Sequence, residues 1–287
     1  MLSPTRHHVT VEGHARFELD SEDDKTVCTH LQFTYPLKLL VPKYASENPR
    51  CKWLYLIAYG GGLVEGDSIT LHVEVEKNAS VVLTSQASTK VYHSERGRTT
   101  SQKISAMVAD GALLAVLPSY LVCFKDALYK QDQVFHLAPQ GNIILLDWMT
   151  AGRMACDEAW QMTSCSLQNE VYIDGKLVFG DSMTLAQHSD NLLQYKMGKV
   201  KVVGTCVIIG PYFKDKICSI QEKVKSFHYK YKYNNVITIS ASPLAPLCDG
   251  IVIKLMSTEE AEMVQQCFSD IIADVVPNIG GDPLIKQ

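Results

Sequence analysis

Leu71-His72-Val73-Glu74-Val75-Glu76-Lys77-Asn78-Ala79-Ser80-Val81-Val82-Leu83 decides the fold class of this 287-residue chain. Val73 and Val75 alternate with His72, Glu74 and Glu76; Lys77-Asn78 turns the chain; Val81 and Leu83 then resume on one face. Alternation with period two puts apolar side chains on one side of a half-buried strand, and short turns between such runs predict antiparallel neighbours. The same pattern recurs over 111–117, 134–137, 142–147 and 170–179, with Asp174-Gly175 a hairpin signal. No fixed-length repeat is visible, so a stacked or sandwich arrangement follows from the number of strands alone.

The last third changes character. The β-branched run 200–209 reads as a buried strand closed by Gly210-Pro211. Phe213, Ile217, Ile220, Val224 and Phe227 then recur at helical spacing with lysines between them, which predicts an amphipathic helix starting at Pro211. Strands return at 236–240 and 250–256. Ser257 with Glu260 has the form of a capping box for a second helix, whose apolar face carries Val264, Cys267, Phe268, Ile271, Ile272 and Val275 and which Pro277 and Gly280-Gly281 end. The expected fold is therefore mainly β, a body of stacked antiparallel or mixed sheets with a solenoid-like build and two α-helices in the C-terminal third. It forms one domain over 1–287, with a β-rich body at 1–180 and strands plus two helices at 181–287.

Hydrophobic residues make up 46% of the chain, which places it among folded globular proteins. Lys and Arg number 27 against 31 Asp and Glu, a net charge of −4, and no segment concentrates the cations, so nucleic acid is not an expected partner. The N-terminus lacks a secretory apolar run and the longest apolar stretch, 111–124, is broken by Pro118 and Ser119, so a cytoplasmic chain without a membrane partner is expected. Nine cysteines without a C-x-x-C spacing match neither a disulfide framework nor a structural zinc site, and most are expected as reduced, buried thiols.

Gly60-Gly61-Gly62-Leu63-Val64-Glu65-Gly66-Asp67 invites a phosphate-cradling reading, but the lysine and hydroxyl of a P-loop are missing and a strand pattern follows. A tight turn or bulge where side chains cannot fit is the competing reading. Asp147, Arg153 and Glu158 lie close enough in sequence for an acid–base site on a small substrate, or for a salt-bridge network holding a turn between Trp148 and Trp160. Neither a G-x-S-x-G elbow nor an H-E-x-x-H helix is present. The nine histidines are dispersed, with His72, His93 and His136 in the strand region and His7-His8 at an end expected to be mobile. A permanent metal site needs clustered ligands; a transient path needs only exchangeable oxygen and imidazole donors, and Asp67, Asp147, Glu158 and His93 are the candidates for one.

The glycine–aspartate motif at 60–67, Gln86-Ala87-Ser88-Thr89-Lys90-Val91-Tyr92, the block Leu117-Pro118 with Phe124, Ala127 and Gln131, and the block Asp147-Trp148, Gly152-Arg153, Glu158 and Trp160 stand in one order. In that order, and with Tyr35-Pro36-Leu37-Lys38 before them, they resemble the urease accessory protein D family, called H in some bacteria. Glu65 stands where many bacterial members carry glycine, Asp157 replaces a glycine that often precedes the glutamate, and Ala58-Tyr59-Gly60 is closer to plant and fungal members. The resemblance implies a β-rich scaffold without an activity of its own. It also implies a complex with the urease apoprotein, accessory protein F and the GTPase G that delivers nickel to the urease active site, with no tightly bound cofactor and nickel only in transit. An internal passage for the ion goes with that role; our own expectation is that Asp67 and Asp147 line it while the C-terminal helices help bind accessory protein F. A small-molecule enzyme using Asp147, Arg153 and Glu158, and a metal-independent β-domain adaptor, are the alternatives.

Overall fold

The computed structural model describes residues 10–187, 192–231 and 236–285; His7 and His8 lie outside the described residues. The strands are β1 (Thr10–Asp20), β2 (Lys25–Phe33), β3 (Leu37–Leu40), β4 (Cys51–Ala58), β5 (Ser68–Val75), β6 (Ser80–Ser85), β7 (Thr89–Val91), β8 (Thr100–Val108) and β9 (Leu113–Val116). They continue with β10 (Leu121–Cys123), β11 (Leu128–Leu137), β12 (Asn142–Thr150), β13 (Ser164–Ile173), β14 (Lys176–Ala186), β15 (Val202–Ile209), β16 (Ile237–Pro243) and β17 (Gly250–Ser257). The helices are α1 (Leu193–Met197), α2 (Ile217–Tyr231), α3 (Ala261–Ile272) and α4 (Val276–Ile279).

Two sheets face each other. One has seven strands in the order β14-β13-β11-β8-β5-β1-β2, and the other runs β16-β17-β15-β12-β9-β6-β4-β3, with β7 and β10 as a side arm on β12. From β4 to β13 the chain crosses repeatedly between them, so that, apart from the short β7 and β10, successive strands lie in opposite sheets. The turn at Lys77-Asn78 joins β5 to β6 in this way, with Asn78 at φ 61°. The antiparallel pairing expected there is not formed. Instead β5 pairs in parallel with β8, β8 with β11 and β11 with β13, while β4, β6, β9 and β12 pair in parallel in the facing sheet. Each rung thus hydrogen-bonds to the rungs above and below, which is the logic of a solenoid. Cys51 pairs with Ser80, Ser80 with Leu113 and Leu113 with Asn142, so the rungs recur every thirty residues or so, at unequal intervals, below the notice of a search for fixed repeats. Asp174-Gly175 does form a hairpin, joining antiparallel β13 and β14 with φ of 48° and 73°.

Apolar side chains divide into two cores. The first fills the space between the sheets and includes Phe17, Leu71, Val81, Phe135, Leu145 and Met149. The second lies on the other face of the ten-stranded sheet, where Trp53, Ile144, Leu146 and Trp148 meet Ile220 and Val224 of α2 and Val264 and Phe268 of α3. Gly204 allows this contact, because a Cβ there would stand 2.9 Å from Trp148 Cβ and 3.1 Å from the Phe268 ring. Among the described residues, no helix is long and apolar enough to cross a membrane.

Both long helices occupy the segments their periodicity predicts, with differences at their ends. Residues Pro211–Lys216 form a 3₁₀ turn before α2. The Ser257–Glu260 capping box is not formed: Ser257 closes β17 and its Oγ accepts from Glu259 N at 2.9 Å, while Glu260 caps α3 without a side-chain bond. The second helix stops at Ile272, and Pro277 falls in the first turn of the separate α4, which Gly280 ends at φ 72°.

The inward and outward positions of one strand give a direct check on this architecture. Phe135→Ala empties a fully buried site on β11 and is expected to cost about 3–5 kcal/mol. Lys130→Ala, on the outward face of the same strand, is expected to cost less than about 1 kcal/mol. Urea unfolding of the two variants measures both; equal losses would contradict the assignment of faces.

Candidate functional site

β12 presents Leu145, Asp147 and Met149 to the space between the sheets, so a half-buried carboxylate sits in the row of an apolar core. Opposite it, the period-two pattern of β11 that turns Tyr129, Phe135 and Leu137 inward also turns Gln131 and Gln133 inward, and β13 adds Asn169 in the same way. These amides meet the carboxylate. Gln131 Nε2 donates to Asp147 Oδ1 at 3.1 Å, and Asn169 Nδ2 donates to Asp147 Oδ2 at 2.7 Å. Behind them, Gln133 Nε2 donates to Asn169 Oδ1 at 2.9 Å, and the Tyr129 hydroxyl lies 3.1 Å from both Gln131 Oε1 and Gln102 Oε1. Two chains of donors therefore converge on one carboxylate, each bond polarising the next.

No cation pairs with Asp147 among the described residues. The nearby Asp181 is held by Lys254 Nζ at 2.6 Å and by Thr205 Oγ1 at 3.3 Å. Burial pushes the Asp147 carboxyl above its ordinary value; the bonds from Asn169 and Gln131 pull the other way, and Asp181 adds to the rise. Asp147 faces a narrow cavity of about 40 Å³, lined by the hydroxyls of Thr84, Ser85, Thr89 and Ser119 and by apolar side chains that include Leu56, Leu83, Ile104 and Leu121. At ~10–15 Å³ for each water centre, about three fit.

The other predicted residues stand elsewhere. Asp67 closes the glycine loop, accepting from Val64 N at 2.9 Å while its own N–H bonds Val64 O at 3.0 Å. Glu158 forms a two-pronged pair with Arg153, at 2.8 and 2.5 Å, and accepts from Lys125 N at 3.3 Å. The Arg153 guanidinium lies 4.2 Å from the Phe124 ring centroid and lines a surface groove with Ser88 and Lys90, and its bonds hold the Glu158 carboxyl below the usual range. His93 is exposed beside Glu95 at 3.3 Å. Thus Asp147 faces the interior while Arg153 and Glu158 pair near the surface, and the three do not form one acid–base cluster. Among the described residues, no group of three or more His, Cys, Asp or Glu is placed to hold a metal ion.

The glycine motif is structural in the same local sense. Gly62 has no room for a side chain, since a Cβ would meet Lys90 O and the Tyr92 ring at 2.8 Å, where Leu63 bridges to Val91. Glu65 accepts from Arg96 N at 2.8 Å and Arg98 N at 3.2 Å and so ties this loop to the next rung. Asp157 adopts φ 57°, a left-handed conformation that glycine takes more readily. The nine cysteines are free thiols, five of them buried.

Residues 11–286 match the family model described as UreD urease accessory protein. A protein of Oryza sativa subsp. indica named urease accessory protein D is 36% identical over 67% of this chain and 63% of its own length. This chain thus spans less than two thirds of that relative. Urease accessory protein D of Arabidopsis thaliana is 30% identical over 87% of this chain and 92% of its own length. Urease accessory protein UreD of Anaeromyxobacter sp. (strain Fw109-5) is 33% identical, covering 96% and 89%.

The charge of Asp147 has a thermodynamic signature. Because its folded pKa is raised, the carboxyl favours the fold fully below the unfolded value, near pH 4, and that contribution is lost as pH rises through the folded value. Asp147→Asn lacks this loss, so the variant is expected to gain on the native chain in thermal midpoint as pH rises from about 4 toward neutrality. A difference that stays constant across that range would show that Asp147 is not buried as a charge.

Proposed function

The chain belongs to the UreD family of urease accessory proteins, and from that premise we propose that it serves as a scaffold without catalysis of its own that helps deliver nickel to urease. In this reading it acts in the cytoplasm on the urease apoprotein, together with accessory protein F and the GTPase G. Nickel is cargo in transit, and the energy of delivery comes from nucleotide hydrolysis on the partner.

The observation that carries the reading is the Asp147 network. A single carboxylate, ordered by two neutral amides and facing a small cavity whose hydroxyls and amides are mixed with Leu56, Leu83, Ile104 and Trp148, offers oxygen donors to a divalent ion without enclosing it. Borderline ions accept such donors. Affinity stays modest because one charge and a few hydroxyls supply little compensation for lost hydration, and modest affinity is what release requires. The Gln131 and Asn169 bonds keep both oxygens in place as the ion arrives and leaves. Asp67 holds the mouth of a surface loop and contributes to the scaffold through its turn, while Glu158 and Arg153 brace the loop before β13. The enzyme reading requires Asp147, Arg153 and Glu158 around one substrate, and the separation of the first from the other two speaks against it.

The test uses cells lacking the native gene and complemented with variants. Asp147→Ala is expected to retain copurification with accessory proteins F and G, yet to lower urease activation at limiting nickel at least tenfold. Asp67→Ala, which removes a turn bond, is expected to act through reduced protein level. Normal activation by Asp147→Ala at limiting nickel would overturn the assignment of the path.

A further inference from the structure

The outer face of the seven-stranded sheet is bare, because α2, α3 and α4 all pack on the other sheet. Parallel sheets are ordinarily covered on both faces, and here the uncovered face is grooved. Two grooves of about 620 and 660 Å³ run along it and share Glu74, Met107 and His136, so they form one continuous trough. Met107, at its centre, is 59% exposed.

The charge of the trough is one-sided. Its lining holds four carboxylates, from Glu12, Glu74, Glu76 and Asp174, and no lysine or arginine. Arg16, on the same face, is already engaged by Glu76 at 2.6 Å, Glu18 at 3.2 Å and Glu74 at 3.6 Å. Lys103 and Lys130 lie in neighbouring rows outside both grooves, and Lys130 is paired with Asp132 at 2.9 Å. Glu12 and Asp174, at opposite ends, have no cationic partner among the described residues. Three imidazoles, from His14, His72 and His136, and the Met107 thioether lie between them, giving flat and soft contact surface between two free negative ends.

We infer that this trough is a docking surface for a basic segment of a partner protein, one whose lysines or arginines reach Glu12 and Asp174 while its apolar stem lies over Met107. Charge complementarity chooses the occupant: a second copy of this chain would bring the same carboxylates against these and be repelled. The inference does not depend on the path at Asp147, which lies on the inner side of the facing sheet.

The probe is a fluorescent helical peptide with lysines at i, i+4 spacing, and its glutamate counterpart, followed by anisotropy with the full chain. The lysine peptide is expected to bind, with affinity that falls as salt rises, and the glutamate peptide is expected not to bind. The variant Glu12→Gln/Glu74→Gln/Glu76→Gln/Asp174→Asn is expected to bind at least tenfold more weakly. Glu12→Gln/Asp174→Asn, which disturbs no ion pair, is expected to lose at least threefold. A control variant, Glu22→Gln/Glu95→Gln/Glu262→Gln/Asp270→Asn, removes as much charge from other surfaces and is expected to bind like the native chain. Equal losses in the control and the trough variants, or no binding by the native chain, would overturn the inference. So would nickel alone occupying the trough and being lost in His14→Ala/His72→Ala, which would assign the face to a metal ion.

Discussion

Parallel pairing of each rung with the next is the constraint on which the rest of this structure depends. Once β8 is in register with β5 and β11 is in register with β8, every side chain has a fixed height and a fixed face. A slip of one residue would turn Phe135 and Leu137 to solvent and carry Lys130 and Asp132 into the core. The apolar rows between the sheets set the register, and the register in turn places Gln131, Gln133 and Asn169 opposite Asp147. The polar network is a consequence of stacking as much as of its own hydrogen bonds.

That network also explains how a charged group is tolerated in a core. An isolated carboxylate removed from water is costly, and here the cost is reduced by two direct amide bonds and by a cavity with room for water. A lysine or arginine in place of either amide would neutralise Asp147 and make it a fixed ion pair. Neutral donors leave Asp147 without a fixed counter-charge, unlike the Arg153–Glu158 pair.

The strands, the Asp174-Gly175 hairpin and the two long helices were legible in the sequence, because period-two and helical alternation report directly on which face is buried. Lateral partners were not. Val73 lies opposite Ala106, and that pairing leaves no local trace when the rungs differ in length. The capping box failed for a related reason: Ser257 is already committed to β17, so its hydroxyl serves the turn into α3 and not the helix. At the site, Asp147 was marked by its residue type and by its closeness in sequence to Arg153 and Glu158. Its partners were readable in principle, since Gln131 and Gln133 alternate in phase with Tyr129 and Phe135, but amides in a strand draw less notice than charges. Asp67, Glu158 and His93 were grouped with Asp147 by residue type, and the fold gives each of them separate local partners.

On the proposed reading the ion path lies inside the molecule and the partner contacts lie outside, a division suited to a member of an accessory family. Urease activity in host cells lacking this chain, compared at trace and at excess nickel, tests that account most directly. The account predicts activity lost at trace nickel and partly restored by excess, because the metal can then reach the apoprotein unaided. Full activity at trace nickel without the chain would contradict it.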